Sequence, residues 1–170
     1  DQDRYIMYAQ NLLLGYFSKG DPNLSSGPGY PVILMPFVGW KLPLVTIRLM
    51  NPFFYYLSVV FLFKTIQRIT SFKIAAIGAT FWACYFNSYE NFPLILTETF
   101  SIFLVSLSLL WISKAFDPGL SVKSKKFIYL SGFLIGYLAL TKVIFGYVIL
   151  VMLIGALFLW FLKRKNHNLK

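Results

Sequence analysis

Long uninterrupted hydrophobic runs constrain this chain more than any other feature of its sequence. The clearest runs cover 94–112 and 143–162, and basic residues follow each of them. A run of about 18 or more apolar residues is long enough to cross the hydrocarbon core of a bilayer as a helix. Only 13% of the 170 residues are charged, whereas a soluble domain carries about a quarter. The sequence therefore predicts an all-α polytopic membrane protein.

Five segments between residues 42 and 162 are candidates for transmembrane helices. They are 42–63, 74–89, 94–112, 127–141 and 143–162. The last two are nearly continuous, and 127–162 would be about 54 Å long as a single helix. Because the hydrocarbon core is about 30 Å thick, we expect this stretch to break over 142–146.

Basic residues gather at one set of span ends, and this asymmetry predicts the orientation of the protein. The residues at these ends are Lys64, Arg68, Lys73, Lys114, Lys123, Lys125, Lys126, Lys163, Arg164, Lys165 and Lys170, with Asp117 beside them. The other five basic residues share the opposite side with five acidic ones. Because cytoplasmic loops are enriched in Lys and Arg, the first side is predicted to be cytoplasmic. The net charge of +10 is thus a topology signal, and it does not indicate nucleic-acid binding.

The polar region over 1–41 is predicted to be an extracytoplasmic loop with juxtamembrane helices. It precedes a transmembrane bundle over 42–162 and a basic cytoplasmic tail over 163–170. Near its start a stripe of apolar residues recurs at helical spacing: Tyr5, Ala9, Leu12, Leu13 and Tyr16. This helix has two interpretations, because it can lie in the membrane interface or pack on the protein's own loops.

Several short motifs occur in an order that resembles one family of membrane enzymes. The loop contains Asp-Gln-Asp-Arg-Tyr at 1–5 and Gly-Pro-Gly-Tyr-Pro at 27–31; Arg48 opens a span, 93–98 opens another and 136–142 closes a third. This arrangement is similar to that of GT-C fold glycosyltransferases. The closest resemblance is to the protein-mannosyltransferase and aminoarabinose-transferase group.

The resemblance implies a fold, a reaction and a location. The fold would be GT-C-like, with transmembrane helices and interfacial helices in the extracytoplasmic loop. The reaction would move a sugar from a polyprenyl-phosphate-linked donor to an acceptor that the sequence does not identify. It would take place on the extracytoplasmic side of a bacterial inner or plasma membrane. Because the family has a transmembrane helix before this loop and further spans, the chain is expected to be a fragment.

Two carboxylates at the start of the predicted interfacial helix are candidates for the catalytic base. A helix N-terminus favours a carboxylate, and helix capping is the alternative role. The resemblance places Asp1 first and Asp3 second as the base. It also makes Tyr5, four positions after Asp1, a candidate for substrate binding.

Three further charged residues lie close to the predicted outer ends of spans. Glu98 lies about one turn inside its span, where a carboxylate is costly and usually functional. It is a candidate catalytic residue, and an ion pair with Arg48 or Lys142 is the alternative. Arg48 and Lys142 are candidates for binding the phosphate of the donor, and snorkelling to the interface is their alternative role.

Other chemistry has little support in this sequence. Cys84 and His167 are each the single residue of their type. The sequence therefore gives no support to a Cys/His metal site or to a serine-histidine-aspartate triad. No cofactor follows from the residues, and a divalent metal stays open. The Gly132/Gly136 pair predicts close helix packing, and 27–29 predicts a turn. The competing functions are a transporter or lipid flippase segment and a non-catalytic membrane scaffold.

The charge asymmetry generates a direct test of topology. We predict that Lys123 faces the cytoplasm and that Asp21 lies outside. Single cysteines at these positions, introduced in a Cys84→Ala background, should differ in labelling by a membrane-impermeant thiol reagent applied to intact cells. Position 21 should be labelled and position 123 protected, and the reverse pattern would contradict the orientation.

Overall fold

The computed structural model describes residues 2–15, 27–116 and 123–167, and within these ranges the chain is entirely helical. Eight helices and no strand occur in these ranges. They are α1 (Gln2–Leu13), α2 (Gly29–Gly39), α3 (Leu44–Ile69), α4 (Phe72–Ala83), α5 (Asn87–Glu90), α6 (Thr97–Ala115), α7 (Lys123–Thr141) and α8 (Ile144–His167).

Three of these helices are long and apolar enough to cross a membrane. They are α3, α6 and residues 144–161 of α8. The apolar helices α2 and α4 and residues 126–141 of α7 are shorter. At 12 residues, α4 is about 18 Å long, well below a hydrocarbon core of about 30 Å. Of the five predicted spans, three therefore meet this length criterion and two do not.

The predicted break within 127–162 is confirmed. Helix α7 ends at Thr141 and α8 begins at Ile144. The Lys142 amide still donates to the Leu138 carbonyl (2.9 Å), and the Phe145 amide donates to the Lys142 carbonyl (3.0 Å). These two bonds fix the backbone of Lys142 between the helices.

Helix α6 is the centre of the bundle and packs against both α3 and α7. Its buried positions include many small hydroxyl residues, which let neighbouring helices approach closely: Thr97, Thr99, Ser101, Ser106 and Ser108. The Ser108 hydroxyl donates to the Leu104 carbonyl within the helix (2.7 Å), so its burial leaves no unpaired donor. Small side chains on α6 are thus compatible with its position between α3 and α7.

Ring contacts show the relative directions of the helices. The Phe54–Phe100 and Phe61–Phe103 pairs, at 5.1 Å and 5.9 Å, run in the same direction along α3 and α6. Tyr55–Trp82 and Phe63–Phe72 pairs make α4 antiparallel to α3. The Phe100–Tyr137 contact and the cation–π contact of Lys114 with Phe127 make α7 antiparallel to α6.

These directions give the bundle two chemically different ends. The end that holds the C-terminus of α3 and α6 and the N-terminus of α4 and α7 is called the basic end. Its charged residues whose burial the structure describes include Lys64, Arg68, Lys73, Lys114 and Lys126. The opposite end, called the capped end, holds the three described acidic residues Asp3, Glu90 and Glu98.

Helices α1 and α2 pack on each other and cover the capped end. Ala9 of α1 and Tyr30 and Leu34 of α2 belong to the hydrophobic core and are almost fully buried. Tyr5 and Ala9 of the apolar stripe therefore pack on the protein itself, whereas Leu13 is 47% exposed. Of the five residues of the stripe, Tyr16 lies outside the described residues.

The turn before α2 touches the end of α7 so closely that only glycine fits. A Cβ atom on Gly27 would lie 1.8 Å from the Leu140 carbonyl oxygen, and one on Gly29 would lie 2.6 Å from the Thr141 hydroxyl. Tyr137 of α7 donates its hydroxyl to the Gly29 carbonyl (2.7 Å). The predicted turn over 27–29 is thus also the attachment point of α2 on α7.

The Gly132/Gly136 pair does not mediate close packing within the described part of the chain. A Cβ atom on either glycine would meet no atom within 4 Å. The prediction of tight helix packing at this motif is wrong for these residues, because α6 approaches α7 on another face.

This contrast between glycines predicts a difference in stability. Gly27→Ala should destabilise the folded protein by about 1–3 kcal/mol, since the methyl group forces the turn away from backbone atoms of α7. Gly132→Ala, which adds the same methyl group where there is space, is the matched control and should cost nothing. Unfolding in mixed micelles, followed by tryptophan fluorescence, measures both, and equal stability of the two variants would contradict the attachment.

Candidate functional site

An ion pair joins the start of α6 to the junction between α7 and α8 at the capped end. The Lys142 ammonium donates to Glu98 Oε1 at 3.0 Å. The two side chains are 40% and 38% exposed, so the pair lies at a surface of the bundle. Of the two partners that the sequence offered for Glu98, the structure selects Lys142.

The second oxygen of Glu98 has no partner among the described residues. Glu98 Oε2 and the Ser101 hydroxyl are both inaccessible to solvent and make no hydrogen bond with the described residues. Ser101 itself is only 5% exposed. Buried polar atoms without partners are costly in native proteins, so these two atoms are candidates for binding a water molecule, an ion or a ligand.

Both atoms belong to residues that line a groove of about 390 Å³. One face of α6 forms its floor, with residues at helical spacing from Glu98 to Leu109. This distance is about 16 Å along the helix. The polar residues Glu98, Ser101 and Lys142 lie at the capped end of the groove, and its walls are mainly apolar: Leu62, Trp82, Ile102, Val105, Leu109 and Phe145. The groove therefore has a polar head and an apolar tail.

The segment before α6 is held by side chains from two other helices. Asn51 of α3 donates its amide to the carbonyls of Asn91 (3.3 Å), Phe92 (3.1 Å) and Leu94 (2.7 Å). Gln2 of α1 accepts a hydrogen bond from the Ile95 amide at 3.2 Å. The position of Glu98, in the first turn of α6, thus depends on contacts from outside its own helix.

A pair of tyrosines lies next to this site. Tyr5 and Tyr30 meet edge to face, with ring centroids 5.3 Å apart. Burial raises the pKa of Tyr30 above its ordinary value, and the neighbouring Tyr5 and Glu98 raise it further. Tyr30 is therefore a neutral phenol at physiological pH, and it does not act as a phenolate base. The ring of Tyr5 packs on the core of the capped end.

The remaining residues that the sequence proposed for a site are less well placed or not described. Asp1 lies outside the described residues. Asp3 is exposed on α1, and Arg48 is exposed on α3. Arg48 makes no hydrogen bond or ion pair with the described residues, unlike Lys142. The structure therefore brings together two of the predicted charged residues, Glu98 and Lys142.

Three residues of this region were not predicted as site residues from sequence. Ser101 looks like one of several serines in an apolar run, and Asn51 and Gln2 look like ordinary polar residues near helix ends. A polar residue inside a predicted span is the one signal that points to Ser101 and Asn51. Among the described residues, no three His, Cys, Asp or Glu side chains come together as a metal site.

Comparison with known proteins gives no match, whether to a protein-family model, a curated protein or a solved structure.

The ion pair predicts a specific covalent cross-link. A carbodiimide, which condenses a carboxylate with an amine and takes up the released water, should join Glu98 to Lys142 because their atoms are 3.0 Å apart. Mass spectrometry of peptides from the folded protein in nanodiscs measures the yield. Lys142→Arg should abolish the product, because a guanidinium does not condense. Added glycine ethyl ester is a competing amine. If it reacts with Glu98 and no Glu98–Lys142 product forms, the ion pair is contradicted.

Proposed function

We propose that this protein is a membrane glycosyltransferase that moves a sugar from a polyprenyl-phosphate-linked donor to an acceptor. The observation that carries the proposal is the groove along α6, with its apolar walls and its Glu98–Lys142 pair at one end. A lipid-linked sugar phosphate has the same division into an apolar chain and a polar head. The order of motifs along the chain, which resembles that of GT-C glycosyltransferases, supports the same function.

The polar end of the groove matches a headgroup that contains both a phosphate and hydroxyl groups. The Lys142 ammonium has three donors, of which Glu98 uses one, so it can also bind a phosphate oxygen. Glu98 Oε2 is an acceptor for a hydroxyl, and the Ser101 hydroxyl can donate or accept. Because the ion pair is neutral as a whole, it favours such a mixed headgroup over a bare polyanion.

The apolar part of the groove holds the lipid chain in this proposal. Its walls extend about 16 Å from Glu98 towards the basic end, where Leu62 and Leu109 lie. Burial of a hydrocarbon chain contributes about 0.8 kcal/mol per CH₂ group relative to water. In a bilayer the lipid tail is already in hydrocarbon, so the groove orients the donor more than it adds affinity.

The reaction assigns each polar group a role. The acceptor hydroxyl attacks the anomeric carbon, its proton passes to a carboxylate, and the bond between that carbon and the phosphate oxygen breaks. Lys142 stabilises the charge on the leaving lipid phosphate. Asp1 or Asp3 is the proposed base, and Glu98 holds a hydroxyl of the sugar or acceptor. The proposed site faces the extracytoplasmic side of the membrane, because the basic end faces the cytoplasm under the positive-inside rule.

The donor-binding role of Lys142 is tested by titration with a polyprenyl phosphate that carries radiolabelled mannose or aminoarabinose. Lys142→Ala should weaken donor use by about 10-fold to 100-fold, the usual value of a hydrogen bond to a charged group, and Lys142→Arg should retain part of the binding. Lys64→Ala, an exposed lysine at the basic end, is the control and should be unchanged. Equal titrations of the two alanine variants would reject the site.

The same assay distinguishes the three carboxylates in the intact membrane protein. Replacing the catalytic base with asparagine should lower turnover by a factor of about 10² to 10⁴. The turnover of Asp1→Asn and that of Asp3→Asn should therefore differ if one of the two residues is the base. The turnover of Glu98→Gln should lie between those of the two asparagine variants, since glutamine keeps one acceptor oxygen and replaces the other with an NH₂ donor. Near wild-type turnover in both asparagine variants would remove the proposed base. Donor binding without any sugar transfer would favour the lipid flippase instead.

A further inference from the structure

The start of α6 lacks a cap of its own. Leu96 is the N-cap residue, and no side chain caps the helix there. A helix N-terminus leaves four amide groups without intrahelical partners, and such ends usually rely on a capping side chain. Glu98 lies only two residues after this N-cap, so any movement of the preceding segment moves its carboxylate.

Two side chains from other helices hold the segment that immediately precedes α6. Asn51 is 2% exposed, and its amide contacts three carbonyls of the turn over 91–94. Gln2 contacts the next part of the segment through the amide of Ile95, a residue that is fully buried. An unpaired amide in that position would cost about 1–3 kcal/mol. The Gln2–Ile95 bond is therefore a strong local constraint.

We infer that Gln2 is a positioning residue that sets the geometry of the Glu98–Lys142 pair. Gln2 is the first residue of α1, which lies outside the bundle and covers its capped end, and its hydrogen bond to Ile95 spans 93 positions of sequence. Asn51 fixes the turn from inside the bundle, whereas Gln2 fixes the last residues before α6 from α1. The docking of α1 on the capped end thus determines where the Glu98 carboxylate lies.

This positioning role also connects α1 to the proposed reaction. If the protein transfers sugars as proposed above, the same hydrogen bond keeps the acidic start of α1, with Asp3 next to Gln2, at a fixed place relative to the head of the groove. The consequence for catalysis rests on the proposed function, but the consequence for the ion pair does not. The two are therefore tested by different measurements.

The test measures the Glu98–Lys142 cross-link, without any donor or acceptor, in the intact protein in nanodiscs. Gln2→Leu should lower the yield by about 5-fold or more, because it leaves the buried Ile95 amide without a partner. Gln2→Glu should restore it, because a carboxylate oxygen also accepts from the Ile95 amide. Gln10→Leu is the matched control, an exposed glutamine two turns along the same helix, and should match the wild type.

Three results separate the outcomes. The positioning role is supported if the cross-link yield falls in Gln2→Leu and returns towards the wild-type value in Gln2→Glu. A wild-type cross-link yield in Gln2→Leu overturns the positioning role. An equal fall of the yield in Gln10→Leu also overturns it, because such a fall would reflect general loosening of α1. If Gln2→Leu does not insert, Gln2→Asn, whose shorter side chain cannot reach Ile95, gives the same comparison. Failure of the sugar-transfer assay leaves the cross-link result intact, so it bears on the proposed function alone.

Discussion

The amide of Asn51 makes the interaction on which the rest of this site depends. It contacts three carbonyls of the turn over 91–94 at a place where the chain leaves helical geometry between α5 and α6. Backbone carbonyls that lie away from water need hydrogen-bond partners, and the Asn51 amide, in a residue that is 2% exposed, supplies one here. Asn51 satisfies this break, and α6 can therefore begin where it does, with Glu98 in its first turn.

A second break, between α7 and α8, supplies the other half of the site. Lys142 lies between the two helices, and the turn before α2 attaches to the adjacent end of α7 through Gly29 and Tyr137. The polar groups that meet at the head of the groove thus come from places where helices start or stop. The groove below them is formed by continuous helix, which explains why its walls are mainly apolar.

The charged pair is more informative than either residue alone. Separately, Glu98 and Lys142 fit an ion pair that holds helices together, because charges close to a membrane usually find one another. The geometry adds that one carboxylate oxygen and the Ser101 hydroxyl have no partner among the described residues. A purely structural pair would be expected to satisfy its buried oxygens, and these two atoms are the observation that supports the proposed headgroup site. The same reasoning separates Lys142 from Arg48, which is exposed on α3.

The sequence by itself determined the all-helical class, the three helices long enough to span a membrane, the break near Lys142 and the gathering of basic residues at one end, but it did not show that the predicted span 74–89 is divided into α4 and α5. The features that it determined follow from hydrophobic length and charge, which are local properties of the chain. It identified Glu98 and Lys142 as candidates but left their partners open. Only the tertiary structure decided that they pair, that Ser101 faces the groove, and that Gln2 and Asn51 hold the start of α6. It also showed that Gly27 and Gly29, rather than Gly132 and Gly136, make the close backbone contact. Such contacts join residues up to 93 positions apart, and they depend on which helix faces meet, a property that the spacing of residues along one helix does not specify.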